Sequence, residues 1–210
     1  MALLHRAELT PTKLELLQGW LPGRPWFQGE ASAALTRVAA FRFDDPAGEV
    51  GIETMLVRAG DGPVLQVPLT YRDAPLAGAE AHLIGTTDHS VLGHRWVYDA
   101  CGDPIYAAQL AHTIFTGGEQ AEQVIEIDGK LETREPTMTV TGSGAEDAGA
   151  PAVGEVAEVV DEDPTTIVTE KLELVVLRHL GTTDRTSGPI LAGTWPGQEI
   201  PLPLAYAAPR

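Results

Sequence analysis

Asp88, His89, His94, Asp99 and Cys101 fall within fourteen residues of one another. Carboxylate, imidazole and thiolate groups are the side chains that hold zinc, so a metal centre is the first chemistry to weigh. Their spacing argues against it. The chain has no Cys-x-x-Cys and no His-Glu-x-x-His, and the intervening residues alternate between turn-like and strand-like types, so nothing makes these groups converge. Asp88 and Asp99 are better suited as acceptors for turn and cap N–H groups. No metal ligand set is expected. Nucleophilic catalysis has no clearer mark: Ser90 and Ser143 lie in no nucleophile elbow, and Cys101 reads as a buried, small, apolar residue. Asp44 and Asp45 form an adjacent pair of carboxylates of the kind that an acidic chain places in solvated turns. Gly117 and Gly118 are placed to end a helix, whereas a phosphate cradle opens one. No catalytic residue and no cofactor is assigned.

A second group of residues is suited to contact. Trp20, Trp26 and Phe27 crowd the Gly/Pro-rich turn GWLPGRPWFQG. Such a rigid aromatic turn seals a core, or it offers a ring face with a polar edge to a sugar or a protein. Trp20 is expected to be buried and Trp26 to pack on the sheet. Trp20, Trp26, Phe27, Asp88, His89 and Asp99 are the candidate ligand- or partner-binding residues.

These residues must be positioned by a small set of elements. The best delimited is a helix over Pro104–Thr116: Asp103 suits the N-cap, Pro104 the first helical position, and Gly117 a left-handed stop. Ala107, Leu110, Ala111 and Ile114 recur on one face. A short helix opens near Thr10 and Pro11, with Leu14, Leu17 and Leu21 aligned. Strands are predicted over 35–43, 52–59 and 64–71, with Gly60-Asp61-Gly62 turning the last two into a hairpin. Pro68 predicts an edge strand or a bulge. Further strands fall near HLIG and RWVYDA, near 124–127 and 137–141, and over 165–169, 172–180, 190–195 and 200–206. Pro189, Pro196, Pro201 and Pro203 predict that the last of these are short or lie at an edge. The fold class is α+β, an antiparallel sheet curled around a central helix with a β-rich C-terminal extension. Residues 1–141 form the α+β domain, 142–154 a flexible, acidic Gly/Ala-rich loop, and 155–210 an extension packing on the same unit.

Composition narrows the partners. In 210 residues, 43% are hydrophobic, enough for a core, and the net charge of −16 opposes nucleic acid and anionic membranes. The segment 119–163 holds thirteen acidic residues and two basic ones, so most of this charge is a solvated face. A single cysteine permits no intrachain disulfide, no apolar run is long enough to span a bilayer, and the N-terminal run is too short for a signal peptide, so a cytoplasmic setting is expected.

Several segments together resemble the N-terminal cap of the actinobacterial maltokinase family: Trp20–Gly29 (WLPGRPWFQG), Leu65–Tyr71 (LQVPLTY) and Leu83–Ile114, which contains IGTTD and VYDACGDP. The resemblance implies a cystatin-like cap fold. Asp163–Leu180 (DPTTIVTEKLELVVLRHL) is similar to the first hairpin of that family's kinase lobe, but Val175 stands where the family has its phosphate-pairing lysine, and no catalytic-loop or metal-binding motif follows. The resemblance therefore implies a free-standing, non-catalytic cap-like module. It would act in trehalose, maltose and α-glucan metabolism, with a kinase, a glucan-metabolising enzyme or a small sugar as partner. Two alternatives stand beside it: a carbohydrate-active enzyme working through the Asp88–Cys101 stretch, and a homodimeric structural protein.

Overall fold

Asp103, Pro104 and Gly117 delimit the longest helix as their chemistry requires. The Asp103 carboxylate accepts from the Ile105 N–H, Pro104 opens the helix, and Gly117 ends it at φ 66°. The structure, a computed structural model, describes residues 2–4, 7–127, 130–145, 147, 149–181 and 188–210. In chain order the elements begin with β1 (Ala2–Leu4), β2 (Leu9–Thr10) and α1 (Lys13–Trp20). Next come β3 (Leu35–Phe43), β4 (Gly51–Ala59), β5 (Leu65–Arg72), β6 (Leu83–His89) and β7 (Gly93–Asp99). The long helix is α2 (Pro104–Thr116), and it is followed by β8 (Gln123–Ile127), β9 (Lys130–Arg134) and β10 (Thr139–Gly142). The last five strands are β11 (Val156–Val160), β12 (Thr165–Thr169), β13 (Leu172–Val176), β14 (Ile190–Trp195) and β15 (Gln198–Pro209).

The strands form two six-stranded antiparallel sheets, ordered β2-β6-β7-β5-β4-β3 and β10-β14-β15-β13-β12-β11, and a small third sheet, β1-β8-β9, in which β1 runs parallel to β8. The first sheet is apolar on both faces. Ala39, Phe41, Phe43, Ile52 and Leu56 face α2, whose Ala107, Leu110, Ala111 and Ile114 are fully buried. Ile167, Leu174, Val176, Leu191 and Leu204 of the second sheet close the same core from the other side. On the opposite face, Met55, Val57, Val67 and Val97 pack under Leu17 and Leu21. The fold is α+β, with antiparallel sheet curled around a central helix.

Several local expectations need correction. β5 is an interior strand, yet Pro68 costs no ladder bond that its neighbours could use. Pairing with β7 begins only at Leu69, and at Gln66 the outer edge of β5 is met instead by the Arg178 carbonyl. β15 is also interior and twelve residues long despite Pro201, Pro203 and Pro209. Its ladder with β14 shifts register between Leu191 and Ala192 and again between Gly193 and Trp195, so Pro203 lies between two irregularities. The first helix starts at Lys13, later than Thr10. Thr12 and Glu15 close a capping box at its start that the sequence reading overlooked. β1, β9 and β11 were not foreseen. Within the stretch expected to be a flexible loop, Gly142 and Gly144 lie so close to the last turn of α2 that a Cβ on either would stand 1.9 Å from the Thr113 or Phe115 carbonyl oxygen. The Gly142 N–H donates to Gly118 O, and the Gly144 N–H to Ile114 O.

Candidate functional site

Two places in the first sheet gather chemistry. The aromatic turn that follows α1 brings Trp20 and Trp26 edge to face, with ring centres 5.9 Å apart. Trp26 is buried, whereas Trp20 and Phe27 are only half-buried, so the expectation of a buried Trp20 is not met. Arg24 lies 4.8 Å over the Trp20 ring and reaches Asp161 at 3.3 Å. The Trp26 indole N–H donates to Asp161 at 2.7 Å, and the Arg178 guanidinium lies 4.6 Å over its ring.

Arg178 is the centre of this junction. Completely enclosed, it donates to Asp99 Oδ2 at 2.6 Å and to Thr165 Oγ1 at 2.8 Å, and it lies 3.4 Å from Cys101 Sγ. Burial opposes its charge, but Asp99, Cys101 and Asp161 together outweigh burial and hold the guanidinium above its ordinary pKa. Burial likewise pushes the Cys101 thiol far up, which leaves it a poor nucleophile. Asp99 is 2% exposed and occupied by Arg178 and by the Cys101 N–H. The arrangement is an ionic joint between the aromatic turn, the end of β7 and the second sheet, buried at Arg178 and Asp99 and partly exposed at Arg24 and Asp161.

Asp88 and His89 lie elsewhere. The stretch from Asp88 to Cys101 is not one loop but the tip and second strand of the β6–β7 hairpin, in which Asp88 pairs with His94 and His89 with Gly93. His94 Nδ1 lies 2.7 Å from Asp88 Oδ1, and His89 Nδ1 accepts from the Val91 and Leu92 N–H groups, so both histidines organise the tip. Asp99 sits at the far end of β7, five residues from His94, roughly 17 Å at the rise of a strand. Trp20, Trp26 and Asp99 are thus gathered around one joint, Phe27 packs beside it, and Asp88 and His89 are not part of it. Among the described residues no group of three His, Cys, Asp or Glu side chains is placed to hold a metal ion.

The second place was missed in the sequence. Glu53 on β4 is 4% exposed, and one of its oxygens, Oε2, meets Lys13 Nζ, Arg42 Nη2 at 3.3 Å and the Tyr71 hydroxyl at 2.9 Å. Burial raises the Glu53 carboxyl, but Lys13 and Arg42 together overcome this and hold it well below the usual carboxylate range. Above this cluster, between the β3–β4 turn and the tip of the β6–β7 hairpin, opens a pocket of about 580 Å³. One signal was legible: a lone Glu inside the apolar run IETMLVRA, since buried carboxylates are paired. Its partners Lys13 and Tyr71 lie 40 and 18 residues away and carry no such mark.

No curated protein matches the chain. The family comparison starts at the aromatic turn and stops at the N-cap of α2: residues 20–103 match the maltokinase N-terminal cap domain.

Proposed function

We propose that the chain is a non-catalytic binding or regulatory module of the maltokinase-cap kind, linked to trehalose, maltose and α-glucan metabolism. It acts in the cytoplasm on a kinase or glucan-metabolising enzyme, or on a small sugar. The observation that carries this reading is the cap match over residues 20–103. The β12–β13 hairpin supports it: at the position where the similar kinase hairpin bears a phosphate-pairing lysine, Val175 is buried opposite Thr166 and Tyr206. An aliphatic side chain there offers nucleotide phosphates no charge. In this reading the cap-like part (1–141) and the β-rich part (155–210) work as one unit across the 142–154 segment, which the Arg178 joint favours.

Calorimetry and light scattering on mixtures of the chain with a maltokinase, with maltose and with glycogen test the proposal. Association with at least one of them at micromolar concentration is expected. No association with any of the three overturns it.

A further inference from the structure

We propose that Lys13 is a carbonyl-reactive amine, which condenses to an iminium with a small aldehyde entering the pocket between the β3–β4 turn and the β6–β7 hairpin tip. Beneath that pocket the charges are unequal in number. Lys13 Nζ and Arg42 Nη2 meet the same oxygen of Glu53, whose carboxylate neutralises only one of them. A guanidinium does not give up its proton, so the surplus charge can leave only from Lys13. The place of Lys13 in the fold acts in the same direction. It is the first residue of α1, where the positive end of the helix dipole disfavours an ammonium, and Glu15, the acidic residue of that turn, is committed to Thr12. Two groups oppose the loss: Glu53 itself, and the Tyr71 ring, whose centre lies 5.1 Å from Nζ. Burial and Arg42 prevail over them, and the ammonium is held below its ordinary pKa. A desolvated lysine beside a second cation is the arrangement that activates an amine as a nucleophile.

The pocket gives this amine room for a reactant and sets the reactant's charge. Its volume of about 580 Å³ lies within the range of small-molecule sites, and Lys13 is one of its walls. Three carboxylates, Asp44, Asp45 and Glu49, stand in the lining with three cations, Lys13, Arg42 and Arg95. The lining as a whole therefore selects neither an anion nor a cation, and a neutral carbonyl compound is admitted. Asp44 strengthens the hold on the Arg42 charge, which keeps the surplus on Lys13. Leu9, Val50 and Leu92 offer apolar contact to a short carbon chain.

In the condensation the Lys13 ammonium first loses a proton to solvent. The Nζ lone pair then adds to the carbonyl carbon, the C=O π bond breaks, and a proton moves from nitrogen to oxygen to give a carbinolamine. The proton lost at the start returns to the new hydroxyl, which leaves as water as the C=N bond forms. Ammonium and aldehyde thus become iminium and water, with no change of oxidation state. The iminium keeps its positive charge where the ammonium had it. Glu53, whose carboxyl lies well below the usual carboxylate range, stays ionised and pairs with the iminium as it did with the ammonium.

Reductive alkylation of the full chain at neutral pH tests this, with butanal as the aldehyde, cyanoborohydride to trap the iminium, and peptide mass spectrometry to read the initial rate at each site. Lys130 and Lys171, the other two lysines of the chain, are both exposed and serve as internal references. The Lys13 side chain is 25% exposed, so accessibility alone makes it the slowest of the three. Lys13 should instead be alkylated several-fold faster than either reference. In concentrated urea the three rates should converge. Arg42→Gln, which leaves Glu53 to Lys13 alone, should slow Lys13 to the rate of the references or below. A Lys13 rate no higher than the references in the folded wild type, a Lys13 lead that persists in urea, or an unaltered Lys13 rate in folded Arg42→Gln would each overturn the assignment. Where that variant does not fold, the wild-type ranking with and without urea decides.

Discussion

Trp26 joins three separate stabilising contacts: its ring is enclosed, its edge donates to Asp161, and its face receives Arg178. Truncation to Ala removes all three and opens a cavity, at a cost of about 3–5 kcal/mol for an enclosed indole. That is a large share of the ~5–15 kcal/mol that holds a typical domain together. Trp26→Ala should therefore melt well below the wild type in a calorimetric scan; an unchanged Tm would mean that the turn seals nothing. Glu53 yields a prediction in pH. Its folded carboxyl lies below the ~4.3 of an unfolded glutamate, so in acid the unfolded chain binds the extra proton. The stability that Glu53 contributes is complete above that value and is lost as the pH falls below it. Glu53→Gln should lower stability at neutral pH by about 1–3 kcal/mol, since Lys13 and Arg42 lose their shared acceptor. It should also flatten the acid limb of a urea-denaturation series taken from pH 6 to pH 3. A parallel acid limb in wild type and variant would show that Glu53 titrates as an ordinary surface carboxylate.

At the scale of elements, what could be read from the sequence divides by the reach of the interaction. The ends of α2 were legible because Asp103, Pro104 and Gly117 act on backbone within a turn of themselves. The Gly60-Asp61-Gly62 hairpin was legible for the same reason, with Gly60 at φ 54°. Pro68, Pro201 and Pro203 misled because proline reports that one N–H is missing but not whether a neighbouring strand needs it. The glycines of 142–144 misled in the opposite sense: the same residue type serves mobility and close approach, and only the course of the chain past α2 decides between them. Here it is approach. Gly144→Ala would drive a methyl group into the Phe115 carbonyl, and the strain should cost about 1–3 kcal/mol or displace the crossing segment. Hydrogen exchange at the Gly144 amide, which donates to Ile114 O, should accelerate in that variant. An unaltered exchange rate and Tm would show that the segment gives way freely.

Across the whole molecule, the contacts that join the two large sheets are the ones the sequence hid. Arg178 finds Asp99 at a separation of 79 residues, and Trp26 finds Asp161 at 135. The Gln66 side chain donates to both Leu177 O and Leu204 O at 2.9 Å, and its N–H donates to Arg178 O. None of these has a local signature, so the candidate residues Trp20, Trp26 and Asp99 could be singled out without any sign that they meet at one arginine. With α2 shared between the sheets and the joint buried, both should unfold together. Variants that keep only Trp26 or only Trp195 of the four tryptophans report from the joint and from β14 of the second sheet respectively. Their fluorescence transitions in urea should share a midpoint once each is compared with its own circular-dichroism transition. Fluorescence that departs from circular dichroism in either variant would separate the sheets thermodynamically.

The strand order of the second sheet has a consequence for covalent continuity. β10 lies at the near end of the 142–154 crossing in sequence, but its ladder is with β14, which lies after it. The partner that Arg178 requires, Asp99, also lies on the near side. Neither half of the chain is then complete alone, and the peptide link between them adds proximity but none of these contacts. Two polypeptides, 1–149 and 150–210, produced together should assemble by strand complementation and purify as a one-to-one complex. The shorter one made alone, with its β14 edge bare and its arginine unpaired, should aggregate.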